Sequence, residues 1–181
     1  MGDASGASGA HPLVSVVLPT MGRPQELKRA IRSVLRQTFK DFDVWVIDGS
    51  PESNAAAVGG FNDPRLNYAR APPKGVNAAR NIGITLSKGR YIAFLDDDDE
   101  WRPEKLEKQV AFLEGTGRDV AGAFASYIKI DPAKGTAKLV RIWEQGSLIG
   151  PHSVGPASVT IVKREVFDDV GPGASIAICD F

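Results

Sequence analysis

The sequence predicts one α/β domain built on a mostly parallel central sheet, with helices on both faces and added strands in the C-terminal half. Three observations carry this expectation. Short apolar runs of strand length alternate with helix-period segments through the first half, the order a parallel sheet requires. The first of these runs is apolar almost throughout, as suits a strand covered on both faces. The fourth, Tyr91 to Leu95, ends abruptly in Asp96-Asp97-Asp98-Asp99-Glu100. A buried strand cannot solvate five carboxylates, so the chain must leave the core at Leu95 and carry them to a rim, where something cationic should meet them.

Leu13 to Leu18 is broken only by Ser15 and closed by Pro19, and reads as the first strand. Pro24 then stands at a first helical position. Leu27, Ala30, Ile31, Val34 and Leu35 follow at helical spacing, with Lys28, Arg29, Arg32 and Arg36 on the opposite face. Phe42 to Ile47 is the second strand, ending in Asp48-Gly49-Ser50-Pro51, and a short helix is expected over Ser53 to Val58. Arg65 to Ala69 is a third strand after the Asn62-Asp63-Pro64 turn, and Val76 to Leu86 is a helix ended by Lys88-Gly89.

Beyond the acids, Pro103 opens a helix to about Leu113, with Leu106, Val110 and Leu113 inward. Val120 to Ile130 and Lys138 to Trp143 read as a hairpin around Asp131-Pro132 and Lys134-Gly135. Gly146 to Pro156 is a loop, Ala157 to Val162 a further strand, and Lys163 to Val170 a short helix. The added strands are expected on the same sheet. Residues 1–12 are expected to be a flexible tail and residues 13–181 the domain, truncated at its C-terminus because the chain stops at Phe181 just after an apolar stretch.

Composition narrows the function. Lys plus Arg and Asp plus Glu number 22 each, so bulk charge points to neither a nucleic-acid partner nor an anionic membrane. A 43% hydrophobic fraction excludes a disordered chain. The single cysteine, Cys179, excludes an internal disulfide framework and fits a reducing compartment. No apolar run reaches the ~18–20 residues of a membrane span.

Ligands of parallel α/β sheets collect outside the carboxyl ends of the strands. Thr20, Asp48 and Asp96 all fall at such ends, so positions far apart in sequence converge on one rim. Aspartates are hard oxygen ligands for Mg²⁺ or Mn²⁺, and Mg²⁺ takes only one or two protein carboxylates beside phosphate and water. The acidic run therefore reads as a metal-nucleotide site, against the plainer alternative of a solvated acidic loop. A helix-loop-helix calcium site is disfavoured because Trp101 stands where its turn glycine belongs.

Taken together, Val14 to Pro24, Gln37-Thr38-Phe39, Asp48-Gly49-Ser50, Gly75 to Gly83 with Ala79-Arg80-Asn81, the strand into Asp96 to Asp99 with Trp101, and Pro103 to Lys108 resemble family-2 glycosyltransferases, from about Leu13 to the end. The resemblance implies a GT-A, Rossmann-type domain. It implies inverting transfer of a sugar from a nucleotide diphosphate donor, with a UDP-sugar as the leading expectation, to a glycan, lipid-carrier or protein acceptor, with Mn²⁺ or Mg²⁺ as cofactor. It places Asp96 on the ribose, Asp98 on the metal, Asp48 on the base and Thr20 in the base pocket, with Arg23 and Arg80 on the nucleotide. Asp180 is the implied general base, although Cys179 replaces the usual preceding glutamate and Val170-Gly171-Pro172-Gly173 the usual upstream turn. Asp97 and Asp99 are left as supporting or surface groups. The expected setting is cytoplasmic, including the inner face of a membrane.

Three rivals stand beside this reading. A nucleotidyltransferase would want an early glycine-rich, basic triphosphate loop, and Met21-Gly22-Arg23 is too short for one. A phosphatase would want a threonine two residues after its Asp-x-Asp pair. A silent nucleotide- or sugar-binding module lacks only the acceptor machinery. Cys179 reads as a small apolar filler, His152 as a loop residue, His11 as part of the tail, and Trp101 and Trp143 as packing residues.

Overall fold

In the computed structural model, residues 11–117, 120–141 and 156–170 are described. Six strands form the main sheet: β1 (Val14–Thr20), β2 (Phe42–Asp48), β3 (Leu66–Arg70), β4 (Tyr91–Phe94), β5 (Gly122–Phe124) and β8 (Thr160–Lys163), in the order β3-β2-β1-β4-β8-β5. The first four run parallel, and β8 is antiparallel to both β4 and β5. A separate two-stranded sheet is made by β6 (Tyr127–Asp131) and β7 (Thr136–Val140).

The pleat sends alternate residues of each strand to opposite faces. Val16, Leu18, Val44, Val46, Ala93 and Leu95 pack on one side with α1 (Pro24–Leu35) and α4 (Lys105–Gly115), through Leu27, Ile31, Leu106 and Val110. Val58 of the short α2 (Ala55–Gly59) joins that layer. Val17, Ile47, Ile92 and Phe94 face the other side, with Ala79 of α3 (Val76–Leu86) and Phe167 of α5 (Arg164–Val170). Helices therefore cover both faces, as expected.

Three details differ from the sequence reading. Strand β1 runs past Pro19 to Thr20. This proline stands two residues after Val17, whose carbonyl accepts the Leu95 N–H, so it points its missing donor toward the same β4 side, where pairing has already ended. The segment expected as one strand from Val120 to Ile130 is divided: β5 pairs with β8, whereas β6 pairs with β7 off the main sheet. Of the strand expected from Ala157, the first turn is a 3₁₀ helix (Ala157–Val159) that hands the chain to β8. No helix among the described residues is long and apolar enough to cross a membrane.

Candidate functional site

The carboxyl ends of β1, β2 and β4 open on a cleft of about 420 Å³, lined by Pro19, Thr20, Arg23, Gly49, Pro72, Gly75, Ala79, Arg80, Asp96, Asp97 and Asp98 among others. The segments that follow β1 and β2 meet through two short hydrogen bonds: the Gly49 N–H donates to Thr20 O at 3.0 Å, and the Gly22 N–H to Ser50 Oγ at 2.7 Å. Gly75, at φ +89°, turns the chain into α3, whose first residues form part of the wall. The first-turn N–H groups of a helix have no intrahelical acceptors and favour anions nearby.

Within the acidic run, three neighbouring carboxylates have three different settings. Asp96 is held from both ends: its N–H donates to Ser158 Oγ at 2.9 Å, and its Oδ1 meets Arg80 Nη2 at 2.7 Å. Arg80 is only 1% exposed. Asp97 is 2% exposed, accepting from Thr20 Oγ1 at 2.7 Å and pairing with Arg23 Nη2 at 2.8 Å. Burial pushes the Asp97 carboxyl above its ordinary value, and the Thr20 hydroxyl and Arg23 offset only part of that. Asp98 is 51% exposed in the cleft and meets the other arm of Arg23, Nη1, at 2.6 Å. One guanidinium thus spans both carboxylates. Farther out, Glu100 pairs with Arg29 at 3.4 Å. The cations that the acidic run required come from three helical or cap positions.

Asp48 lies beneath the rim and is fully buried. Its Oδ1 accepts from the Ser50 N–H, Ser50 Oγ and Asn54 Nδ2; its Oδ2 accepts from the Asn54 N–H, Tyr68 Oη and Arg70 Nη1. Burial alone would raise this carboxyl. The bonds from Ser50, Tyr68 and Asn54 outweigh it and hold the group well below the usual carboxylate range. With both oxygens engaged, Asp48 fixes the Gly49-Ser50 turn, and Gly49 presents that turn to the cleft.

The structure therefore brings Thr20, Arg23, Arg80, Asp96 and Asp98 to one cleft, with Asp48 directly behind it. Asp180, Cys179, His152 and Trp143 lie outside the described residues. Trp101 is buried and donates from Nε1 to Ser158 O at 2.7 Å, a packing and tethering role. Ser158 was missed: nothing near it in sequence marks a residue that anchors Asp96 from 62 positions away. Tyr68 and Arg70 were missed too, although their period-two spacing on β3 put both on the side that meets Asp48.

Among the described residues no group of three or more His, Cys, Asp and Glu side chains forms a self-sufficient metal cage. The cleft offers instead one accessible carboxylate, Asp98, beside the held Asp96. That donor set fits Mg²⁺ or Mn²⁺, which complete their coordination with phosphate and water.

Comparison with known proteins agrees with this architecture. A UDP-Glc:α-D-GlcNAc-diphosphoundecaprenol β-1,3-glucosyltransferase of Escherichia coli is 35% identical over 103 residues, 56% of this chain and 41% of its own. An uncharacterized glycosyltransferase of Rickettsia bellii is 40% identical over 120 residues, 65% of this chain and 17% of its own. The chain thus spans less than half the length of these relatives. Among solved structures, Staphylococcus aureus TarS (residues 1–349) in complex with UDP-GlcNAc superposes with a TM-score of 0.65 at 19% identity, covering 87% of this chain and 47% of that one. The mannosyltransferase PcManGT of Pyrobaculum calidifontis, in complex with GDP-Man and Mn²⁺, gives 0.66 at 16% identity, covering 93% and 49%. These establish the GT-A fold. The profile of Glycosyl transferase family 2 matches residues 15–170, nearly the whole described domain, and the chain belongs to that family.

Proposed function

We propose that this chain is the donor-binding and catalytic domain, residues 13–181, of a metal-dependent inverting glycosyltransferase that takes a sugar from a UDP-sugar and passes it to an acceptor hydroxyl. The observation that carries the reading is the division of labour in the acidic run. Asp96 is clamped by Arg80 and Ser158, Asp97 is buried as a tie to the β1–α1 loop, and Asp98 is left at the surface of the same cleft. A solvated acidic loop would need none of these anchors.

In this reading the base lies against Thr20 and the Gly49 turn that Asp48 holds in place. Asp96 takes the ribose hydroxyls. Asp98 is the metal ligand, and Arg23 and the first turn of α3 face the diphosphate. A bound Mn²⁺ or Mg²⁺ supplies electrostatic stabilisation of the charge developing on the diphosphate leaving group. Arg80 keeps the Asp96 carboxylate aimed while the donor enters. Asp180 removes the acceptor proton as the hydroxyl adds to the anomeric carbon and the bond to the diphosphate breaks on the opposite face.

The names of similar proteins support the donor class: UDP-Glc in one relative, UDP-GlcNAc and GDP-Man in two complexes. Two of the three are uridine nucleotides. A lipid-linked acceptor is named for one relative, which suits a cytoplasmic protein working at the inner face of a membrane on glycan or lipid-carrier acceptors. The reading is tested by release of UDP from UDP-sugars with Mn²⁺. Turnover that falls by about a hundredfold or more in Asp98→Asn supports it. Tight UDP binding without turnover, in the wild type and in longer forms of the chain, would assign the fold to a silent binding module.

A further inference from the structure

Outside the cleft, the most unusual surface is the β6–β7 hairpin. Its register opposes Ile128 to Leu139 and Ile130 to Ala137, so these four share one face. That face is bare: Ile128 is 43%, Leu139 52% and Ile130 69% exposed. The other face opposes Lys129 directly to Lys138. Like charges at directly opposed positions destabilise a ribbon, and among the described residues neither lysine has a carboxylate partner. From Tyr127 to Arg141 there are four basic residues and one acid, in a chain of zero net charge. Both features are unfavourable in water, and both are relieved by an apolar surface with anionic groups at its boundary.

Topology places this ribbon beside the cleft. Strand β8 is antiparallel to β4 and to β5, so β5 runs parallel to β4 and ends at the rim where Asp96 lies. Only Ala125 and Ser126 separate β5 from β6. The hairpin therefore leaves the sheet at the cleft's own rim.

We propose that the β6–β7 hairpin is a membrane-docking element that seats Ile128, Ile130 and Leu139 in the interfacial region of an anionic bilayer, with Lys129 and Lys138 reaching lipid head groups. Long lysine side chains extend past an apolar ribbon to the phosphate level. Docking this way brings the cleft rim toward the membrane surface. The inference stands on the hairpin alone and does not depend on which reaction the cleft performs.

The test is co-sedimentation of the 181-residue chain with vesicles of phosphatidylcholine, alone or mixed with phosphatidylglycerol, in EDTA and without nucleotide. Wild type is expected to pellet with the anionic vesicles, less so at high salt. Lys129→Gln and Lys138→Gln should each weaken partition about fivefold, the equivalent of about 1 kcal/mol per basic group at an anionic surface. Ile130→Ser with Leu139→Ser should weaken it at least as much, while no variant melts appreciably below wild type, because the altered side chains are exposed and each lysine change removes a like-charge pair. Equal partition of wild type and variants, or no binding to anionic vesicles, overturns the proposal. So does sedimentation velocity showing a dimer that the Ile130/Leu139 double variant dissolves, since the face would then belong to a second copy.

Discussion

Asp96, Asp97 and Asp98 have the same side chain, and their burial and their partners separate what each can do. The same contrast sets their response to pH. Asp48 is held below its ordinary value of 3.8, so its ionised form contributes stability that is present above that value and is lost as pH falls toward the lower folded value. Asp97 is held above 3.8, so the fold is favoured by its protonated form, and that contribution declines as pH rises from 3.8 through the folded value. Replacing Asp48 by Asn should therefore cost about 3 kcal/mol at pH 7, because donors on both sides lose a charged acceptor. Asp97→Asn should cost clearly less. Urea unfolding at pH 7 and pH 3.5 checks both, and the gap between the Asp48 variant and wild type should narrow at the lower pH. Equal costs at pH 7 would mean that the hydrogen-bond network around Asp48 is not what sets its state. The acid at the end of β2 and the run after β4 were legible in the sequence, because charge directly after an apolar strand has nowhere else to go. The burial of Asp97 was not legible: it depends on Thr20 and Arg23, 77 and 74 positions earlier, closing over it.

Among the elements, α3 approaches the sheet more closely than a side chain permits. A Cβ added at Gly83 would fall 2.3 Å from Val17 Cγ1, whereas one at Gly89 would fall 2.4 Å from the backbone nitrogen of Ser15. Gly83→Ala should destabilise by about 1–3 kcal/mol, with part of the loss recovered in a Val17→Ala background, because the obstructing atoms belong to a side chain. Gly89→Ala should be at least as harmful and should gain nothing from that background. Thermal unfolding of the single and double variants distinguishes the cases, and recovery at both positions would contradict the geometry. The parallel half of the fold was readable because each βαβ unit repeats a clear change of period. The C-terminal half was harder, since β5 to β7 are short and β5 pairs with β8 at sequence separations of 36 to 40 residues, from Phe124↔Thr160 to Gly122↔Val162. The hairpin was expected, but the apolar stretch from Val120 to Ile130 does not reveal that Ala125 and Ser126 break it between two sheets.

At the scale of the molecule, the two-sided core fixes a rigid sheet whose strand ends define one rim, and the helices supply the arginines that neutralise it. Arg23 and Arg80 come from the start of α1 and the interior of α3, so the cleft is assembled only when both layers are packed. Ligand binding should accordingly stabilise the whole domain rather than one loop. The most direct test of the account is a thermal-shift series with UDP, GDP, dTDP, CDP and ATP, each with Mn²⁺ and with EDTA, on wild type and Asp98→Asn. A nucleotide at a hundred times its dissociation constant should add about 2.7 kcal/mol, roughly 5–10 °C for a domain of this size. The account predicts that rise with UDP and Mn²⁺, most of it absent in EDTA and in Asp98→Asn. No rise with any diphosphate, or one equally large in EDTA and in Asp98→Asn, would contradict a metal-assisted donor site at the acidic run.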